Sequence, residues 1–108
     1  MYLPLQTPHT PLEVPEIYEN MYPNVADSKR QTYLGMVTAM DDIIGNLTHK
    51  LADLNLWDNT YLIFVSDNGG NEHQGASNDP LKKGKGTTYE GGTRTPAFVY
   101  SPLITKTR

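Results

Sequence analysis

The residues best suited to chemistry follow an apolar run in the middle of the chain. Asp67 and Asn68 come directly after the segment Tyr61 to Val65, and two glycines follow them. Such a short aliphatic run is typical of a strand buried on both faces of a parallel sheet. At the carboxyl end of that strand, a carboxylate and an amide oxygen favour a hard cation such as Ca²⁺ or Mg²⁺. The alternative is an Asx turn that only closes the strand.

A histidine lies in a loop that prolines stiffen near the start of the chain. His9 falls between Pro8 and Pro11, shortly after Met1 to Leu5, which we interpret as the end of a strand. Because proline fixes φ and excludes helix, the imidazole has little freedom. That placement suits anion binding or proton transfer, and the alternative is an ordinary surface histidine.

Lysines and glycines alternate in the segment Lys82 to Gly86. These cations could hold phosphate or sulfate as point charges. The segment is not a P-loop, because Lys85 is followed by Gly86 and not by serine or threonine. A turn, Tyr89 to Arg94, and a second short strand, Pro96 to Tyr100, are predicted after it.

One long amphipathic helix is predicted over Ser28 to Leu54. Ser28 and Gln31 form a capping-box pattern, and apolar residues recur every three or four positions after them. We expect the apolar stripe to pack on a sheet. Helix, short turn and strand in this order form half of a βαβ unit, so the predicted class is α/β with a parallel sheet.

Several other polar side chains have no assigned role. Asn46 begins a glycosylation triplet and points away from the apolar stripe, which matters only if the protein enters the secretory pathway. His49, Asp41 and Asp42 also lie off the stripe, so we interpret them as solvated, although the acidic pair could instead bind a metal. His73 lies in a polar loop, where contact with the site and simple solvation are both open.

Composition excludes several classes of protein. The chain has 108 residues, which is no more than one small domain or a piece of a larger one. A net charge of -3 and a pI near 5.5 argue against nucleic acid as the main partner. No apolar run approaches transmembrane length, and no signal peptide is visible. Without cysteine there is no disulfide, thiolate metal site or cysteine nucleophile.

In their order along the chain, these segments resemble the type I sulfatases, most closely the arylsulfatase B-like branch. The likeness is carried by PLQTPHTPLEVP at 4 to 15, YLGMVTAMDDIIGNLT at 33 to 48, FVSDNGG at 64 to 70, PLKKGKGTTYEGGTR at 80 to 94 and PAFVYSPL at 96 to 103. It covers nearly the whole chain. The resemblance implies an alkaline-phosphatase-like α/β sandwich, with residues 1 to 108 as an interior part of one catalytic domain.

The resemblance also implies roles for individual residues. Asp67 and Asn68 match metal ligands, normally for Ca²⁺, while His9 and Lys85 match residues that bind the substrate sulfate. His9 would in addition assist the leaving group. These roles agree with sulfate-ester cleavage, because cations stabilise the charge that builds on the ester oxygen while an acid protonates the departing alcohol. The resemblance implies a sulfate ester as the substrate, with a sulfated glycosaminoglycan as one candidate, and a lysosomal or extracellular location.

Parts of the sulfatase pattern are missing from this sequence. Type I sulfatases use a formylglycine made from the Cys or Ser of a C/S-x-P-x-R motif, which is absent here. Their N-terminal pair of acidic metal ligands and an upstream Lys and His are also absent. We therefore expect the metal shell to be incomplete and the chain alone to be inactive. The rival interpretations are a non-catalytic product that binds sulfated glycans and a related metal-dependent phosphoesterase.

Overall fold

A computed structural model describes residues 1–104 as two compact units. The first unit contains Met1–Ile44 and Asn71–Ser77, and the second contains Gly45–Gly70 and the chain from Asn78 onward. The elements are helices α1 (Glu16–Glu19), α2 (Ser28–Asp53) and α3 (Glu90–Thr93), strands β1 (Leu62–Val65) and β2 (Ala97–Tyr100), and single 3₁₀ turns at Trp57–Asn59 and Glu72–Gln74. None of the helices described in residues 1–104 has the length and apolar character that crossing a membrane requires.

Helix α2 confirms the predicted helix almost to the residue, but its start is capped differently. The side chain of Asp27 accepts a hydrogen bond from the Arg30 backbone N–H at 2.9 Å, which makes Asp27 the N-cap. The predicted capping box is wrong, because the Gln31 side chain donates to the carbonyl of Glu19 at 3.2 Å and does not reach back to the start of the helix. Gln31 thereby joins α2 to α1.

Polar contacts hold α1 and the turn after it against the first half of α2. The Tyr22 hydroxyl is 2.6 Å from the Thr38 hydroxyl, and the Thr32 hydroxyl donates to the Glu19 carboxylate at 2.5 Å. Gly35 permits this approach, because a Cβ there would come within 3.2 Å of the Glu19 backbone nitrogen. Next to Gly35, Met36 is buried with 3% of its surface exposed.

The acidic pair on α2 has a structural contact in this unit. The Tyr18 hydroxyl donates to the Asp42 carboxylate at 2.9 Å. That hydrogen bond, with lesser contributions from burial and from the negative charge of Asp42, raises the pKa of Tyr18. Asp41 is exposed, as the predicted solvated face requires.

In the second unit, β1 and β2 pair antiparallel, which corrects the predicted parallel sheet. Leu62 is opposite Tyr100 and Val65 is opposite Ala97, and the Phe64 and Phe98 rings stack with centroids 5.2 Å apart. The two-stranded sheet contains no other described strand. The prediction assumed that a helix next to a strand is the crossover between two parallel strands. Antiparallel strands need no crossover helix, so the order helix, turn, strand does not determine the strand direction here.

The expectation that β1 is buried on both faces is also wrong within this chain. Ile63 is 70% exposed and Val65 is 64% exposed, while Leu62 and Phe64 are half-buried. The physical reason is that α2, in its section within this unit, makes no close backbone contact with β1, so the predicted packing of the helix on the sheet is not observed there. The predicted strand at Met1 to Leu5 is absent for a similar reason, since it has no described partner to pair with.

Truncating Met36 tests whether the small core of the first unit depends on it. We expect Met36→Ala to lower the free energy of unfolding by about 2 kcal/mol or more, because it leaves a cavity where a buried side chain was. Met21→Ala is the matched control, since Met21 is 52% exposed and its loss removes little buried surface. Urea unfolding of both variants measures the difference, and equal losses would contradict the assignment of Met36 to the core.

Candidate functional site

The turn after β1 presents two oxygen donors that no other residue described in 1–104 uses. Asp67 is exposed, and its carboxylate makes no hydrogen bond or ion pair with any residue described. Asn68 is half-buried, and its side-chain NH₂ donates to the carbonyl of Gly69 at 3.2 Å, which leaves the amide oxygen free. The Asp67 carboxylate therefore does not cap the turn, since the Gly69 N–H bonds instead to the carbonyl of Gly92 at 3.0 Å. The alternative of an Asx turn at Asp67 is not what is observed.

The turn itself is held in shape by its own backbone and by Ser66. The Ser66 hydroxyl donates to the carbonyl of Asn68 at 2.9 Å, and the Ser66 N–H donates to the carbonyl of Pro96 at 3.1 Å. The second bond extends the pairing of β1 with β2 by one residue. Asp67 and Asn68 are thus fixed at the carboxyl end of β1, the position that the sequence predicted for them.

The segment Lys82 to Gly86, which we call the lysine loop, lies beside this turn in the same unit. The backbone N–H of Lys85 donates to the carbonyl of Gly70 at 3.0 Å, and the Lys85 side chain is exposed. Lys82 is engaged elsewhere, because its ammonium group lies 5.0 Å from the centre of the Tyr89 ring. Lys85 is therefore the lysine whose backbone is tied directly to the turn that carries Asp67 and Asn68.

Glycines let three loops pack backbone against backbone, and we call Gly69, Gly84, Gly91 and Gly92 the glycine junction. A Cβ at Gly69 would overlap the carbonyl of Gly91, and one at Gly91 would overlap the carbonyl of Lys83. The Gly91 N–H also donates to the carbonyl of Lys82 at 3.0 Å. Gly91 and Gly92 are buried in α3. The sequence had marked this segment only as a turn.

Asn78 is the residue at this site that sequence reasoning missed. Its side-chain oxygen accepts from the Gly70 N–H at 2.7 Å, and its NH₂ donates to the Gly70 carbonyl at 2.9 Å. Asn78 is half-buried. In the sequence it appears only as one polar residue in a loop rich in turn formers, and its partner is not a neighbour along the chain.

His9 lies in the first unit, in a loop that the prolines keep free of helix. Its Nδ1 is 2.8 Å from the carbonyl of Thr10, so this nitrogen carries the hydrogen and Nε2 is left for another partner. The side chain is exposed. His9 and Asp67 belong to different units, so the role of His9 at the substrate sulfate stays a prediction.

The remaining candidates are all accessible. Asn46 and His49 are exposed on α2, and the exposure of His49 agrees with its interpretation as a solvated residue. His73 is exposed, and its hydrogen bonds are made by its backbone. Its N–H donates to the Asn71 side-chain oxygen, and its carbonyl accepts from the Lys29 ammonium at 3.1 Å. In residues 1–104, no three His, Cys, Asp or Glu side chains form a group that could hold a metal. Asp67 and Asn68 would thus supply only part of a metal shell.

The first unit also contains an open groove of about 420 Å³. The loop Thr10 to Leu12 forms one part of its lining, and Ser28, Lys29 and Thr32 of α2, with Gln74, form the rest. The Lys29 ammonium is held at the groove by its bond to the His73 carbonyl and retains further N–H groups for other partners. Hydroxyls, an amide, one cation and apolar carbon line this groove.

Comparison with known proteins finds one matching family, similar sequences and similar solved structures. A sequence model of the family described as Sulfatase matches residues 1–108. The chain is 38% identical to arylsulfatase J of Mus musculus over 96% of its own length, and 43% identical to human N-acetylgalactosamine-6-sulfatase over 74%. A crystal structure of Ps i-CgsB in complex with k-i-k-neocarrahexaose is similar over 90% of the chain, with 46% identity and a TM-score of 0.88. The chain spans only 17%, 16% and 22% of these three proteins.

Adding one methyl group tests the glycine junction. We expect Gly91→Ala to destabilise the second unit by about 2 kcal/mol, because the new Cβ meets backbone atoms that cannot rotate away. Gly45→Ala is the matched control: a Cβ there meets nothing within 4 Å, so loss of glycine flexibility in α2 should raise stability by about 0.5–1 kcal/mol. Thermal unfolding of both variants decides, and a neutral Gly91→Ala would show that the three loops are not tightly packed.

Proposed function

We propose that residues 1–108 are an interior part of one sulfatase catalytic domain, because the chain belongs to the sulfatase family. The protein that contains them would hydrolyse sulfuric esters. The fold agrees with the alkaline-phosphatase-like α/β class expected of this family, since the family model matches residues 1–108 and two solved structures superpose on 90% of the chain with TM-scores of 0.88 and 0.87. The single observation that carries the proposal for this chain is the pair of unused oxygens on Asp67 and Asn68, next to the loop of Lys85.

Asp67 and Asn68 suit the Ca²⁺ that the resemblance implies. A carboxylate and an amide oxygen are hard donors, and neither oxygen is occupied by another described residue. Such a cation takes six to eight oxygens, so other parts of the domain would complete the shell. Bound there, it would stabilise negative charge on the sulfate group.

The other two residues act on the sulfate through their own charges and protons. The exposed Lys85 ammonium would bind a sulfate oxygen as a point charge, while the Gly70 carbonyl holds the Lys85 backbone beside the turn. His9, with Nδ1–H bonded to the Thr10 carbonyl, has Nε2 available to hold the proton for the departing alcohol. The nucleophile would come from outside this chain.

Names of relatives suggest a class of substrate. One relative is named for sulfate on N-acetylgalactosamine, and one similar structure holds a neocarrahexaose. We propose a sulfated glycan as the substrate, and with it a lysosomal or extracellular location. The exposed Asn46 on α2 is then accessible for a glycan of its own.

Binding of sulfated glycans without hydrolysis is the second candidate, and the groove in the first unit favours it. The groove combines hydroxyls, an amide and the Lys29 ammonium, which are groups that recognise an anionic sugar. A phosphoesterase remains the rival from the wider fold family. A C/S-x-P-x-R motif in the sequence upstream of residue 1 would favour sulfatase, and a Thr or Ser nucleophile without it would favour phosphoesterase.

Ca²⁺ titration tests the metal role. We expect the chain to bind Ca²⁺ weakly, with a dissociation constant on the order of 1 mM, because two side chains supply only part of a shell. Asp67→Ala should abolish the shifts of the Asn68 and Gly69 amides in ¹⁵N spectra. Asp58→Ala is the matched control, since Asp58 is an exposed aspartate in the same unit. Binding that survives Asp67→Ala would refute the proposed ligand.

The missing nucleophile makes a separate prediction about turnover. We expect the isolated chain to hydrolyse no 4-nitrophenyl sulfate, with or without Ca²⁺, because no formylglycine precursor motif occurs in its sequence. Release of 4-nitrophenol is followed by absorbance. Turnover by a rigorously purified sample that disappears in Asp67→Ala would show that the chemistry does not need the missing motif.

A further inference from the structure

We infer that Asn78 is a positioning residue that fixes the distance between the turn carrying Asp67 and Asn68 and the loop carrying Lys85. The consequence for sulfate binding rests on the function proposed above, but the positioning itself does not. The described hydrogen bonds of the Asn78 side chain go to the peptide groups of Gly70 and not to Lys85 or Asp67, so Asn78 acts through Gly70.

Both peptide groups of Gly70 bond to the one amide of Asn78. Gly70 N–H donates to Asn78 Oδ1 at 2.7 Å, and Asn78 Nδ2 donates to the Gly70 carbonyl at 2.9 Å. The same carbonyl accepts from the Lys85 N–H at 3.0 Å. Of the side chains of this size, only asparagine offers a donor and an acceptor in one planar group.

Gly70 is therefore the link between the two halves of the site. It lies two residues after Asn68, and its carbonyl holds the backbone of Lys85. Without Asn78, the half-buried Gly70 N–H would lose its acceptor, and the Gly70 carbonyl would be free to rotate away from Lys85. The metal oxygens and the lysine would then lose their fixed separation.

Gly84 provides an independent reason to assign this role to the Asn78 amide. A Cβ at Gly84 would overlap both Asn78 Nδ2 and the Gly70 carbonyl, so the side chain at this position must be absent for the two to meet. The backbone at position 84 does not itself require glycine, because its φ lies outside the left-handed region. Close approach alone accounts for glycine here.

Amide hydrogen exchange in the 108-residue chain separates the two bonds of Asn78. For Asn78→Ala we expect exchange of the Gly70 and Lys85 amides to accelerate at least about tenfold, since both bonds are lost. Asn78→Asp keeps an acceptor for the Gly70 N–H but places a second oxygen against the Gly70 carbonyl. It should therefore keep the protection of Gly70 and lose that of Lys85.

The matched control is Asn71→Ala, which removes another loop asparagine whose side chain accepts a backbone N–H, that of His73, at 3.1 Å. It should leave the Gly70 and Lys85 amides unchanged. If Asn78→Ala does not fold, the asymmetry of Asn78→Asp still decides. Unchanged exchange at Lys85 in Asn78→Asp, or equal acceleration in Asn71→Ala, would overturn the inference.

A second measurement tests whether Ca²⁺ binding at Asp67 and Asn68 affects Lys85 through Gly70, an effect that general destabilisation would not produce. In the wild-type chain, Ca²⁺ should shift the Lys85 amide resonance through Gly70, and in Asn78→Asp and Gly84→Ala this shift should be lost while the shift of Asn68 remains. A Lys85 shift that persists in both variants would overturn the inference. If Ca²⁺ shifts no resonance in the wild type, the proposed metal function fails, and the exchange rates alone decide the role of Asn78.

Discussion

Close packing of backbone at the glycine junction is the constraint on which the candidate site depends. Gly69 follows the two donor residues, and it can lie against the Gly91 carbonyl only because Gly69 has no side chain, while Gly91 needs the same absence to lie against the Lys83 carbonyl. The bonds from Gly69 to Gly92 and from Gly91 to Lys82 then join the turn, the lysine loop and α3. The backbones of the oxygen-donor residues and of Lys85 are thereby held by hydrogen bonds between peptide groups, which would suit the proposed recognition of a rigid tetrahedral anion.

Much of the fold follows from local patterns in the sequence. The apolar periodicity of α2 and the aliphatic run of β1 identify each element within one or two residues, because both signals depend on neighbours along the chain. Strand direction and burial do not follow from them. Ile63 and Val65 have the residue types of a buried strand, yet their exposure is decided by which other segments are present to cover them. The N-cap at Asp27 was missed because a second capping pattern begins one residue later.

The candidate site shows the same division between local and distant information. Asp67 and Asn68 became candidates through residue type and their place after a strand, while the family resemblance singled out Lys85 among the lysines of its Gly-containing segment. Asn78 could not be found in this way, because its meaning lies in the two hydrogen bonds to Gly70, eight residues earlier in the chain. Composition alone also gave Gly91 and Gly92 no role beyond a turn. The reason for two adjacent glycines becomes clear only when the backbone atoms that contact them are known.

The uncovered face of the two-stranded sheet has a consequence for how this chain behaves outside a larger domain. Within residues 1–104, β1 and β2 pair only with each other, so each strand has an outer edge of N–H and C=O groups without a strand partner. Ile63, Val65 and Val99 add exposed aliphatic surface beside those edges. Short apolar edges without lysine or proline inside the strands are templates for strand addition between molecules. We therefore expect the isolated polypeptide to associate through these edges as its concentration rises.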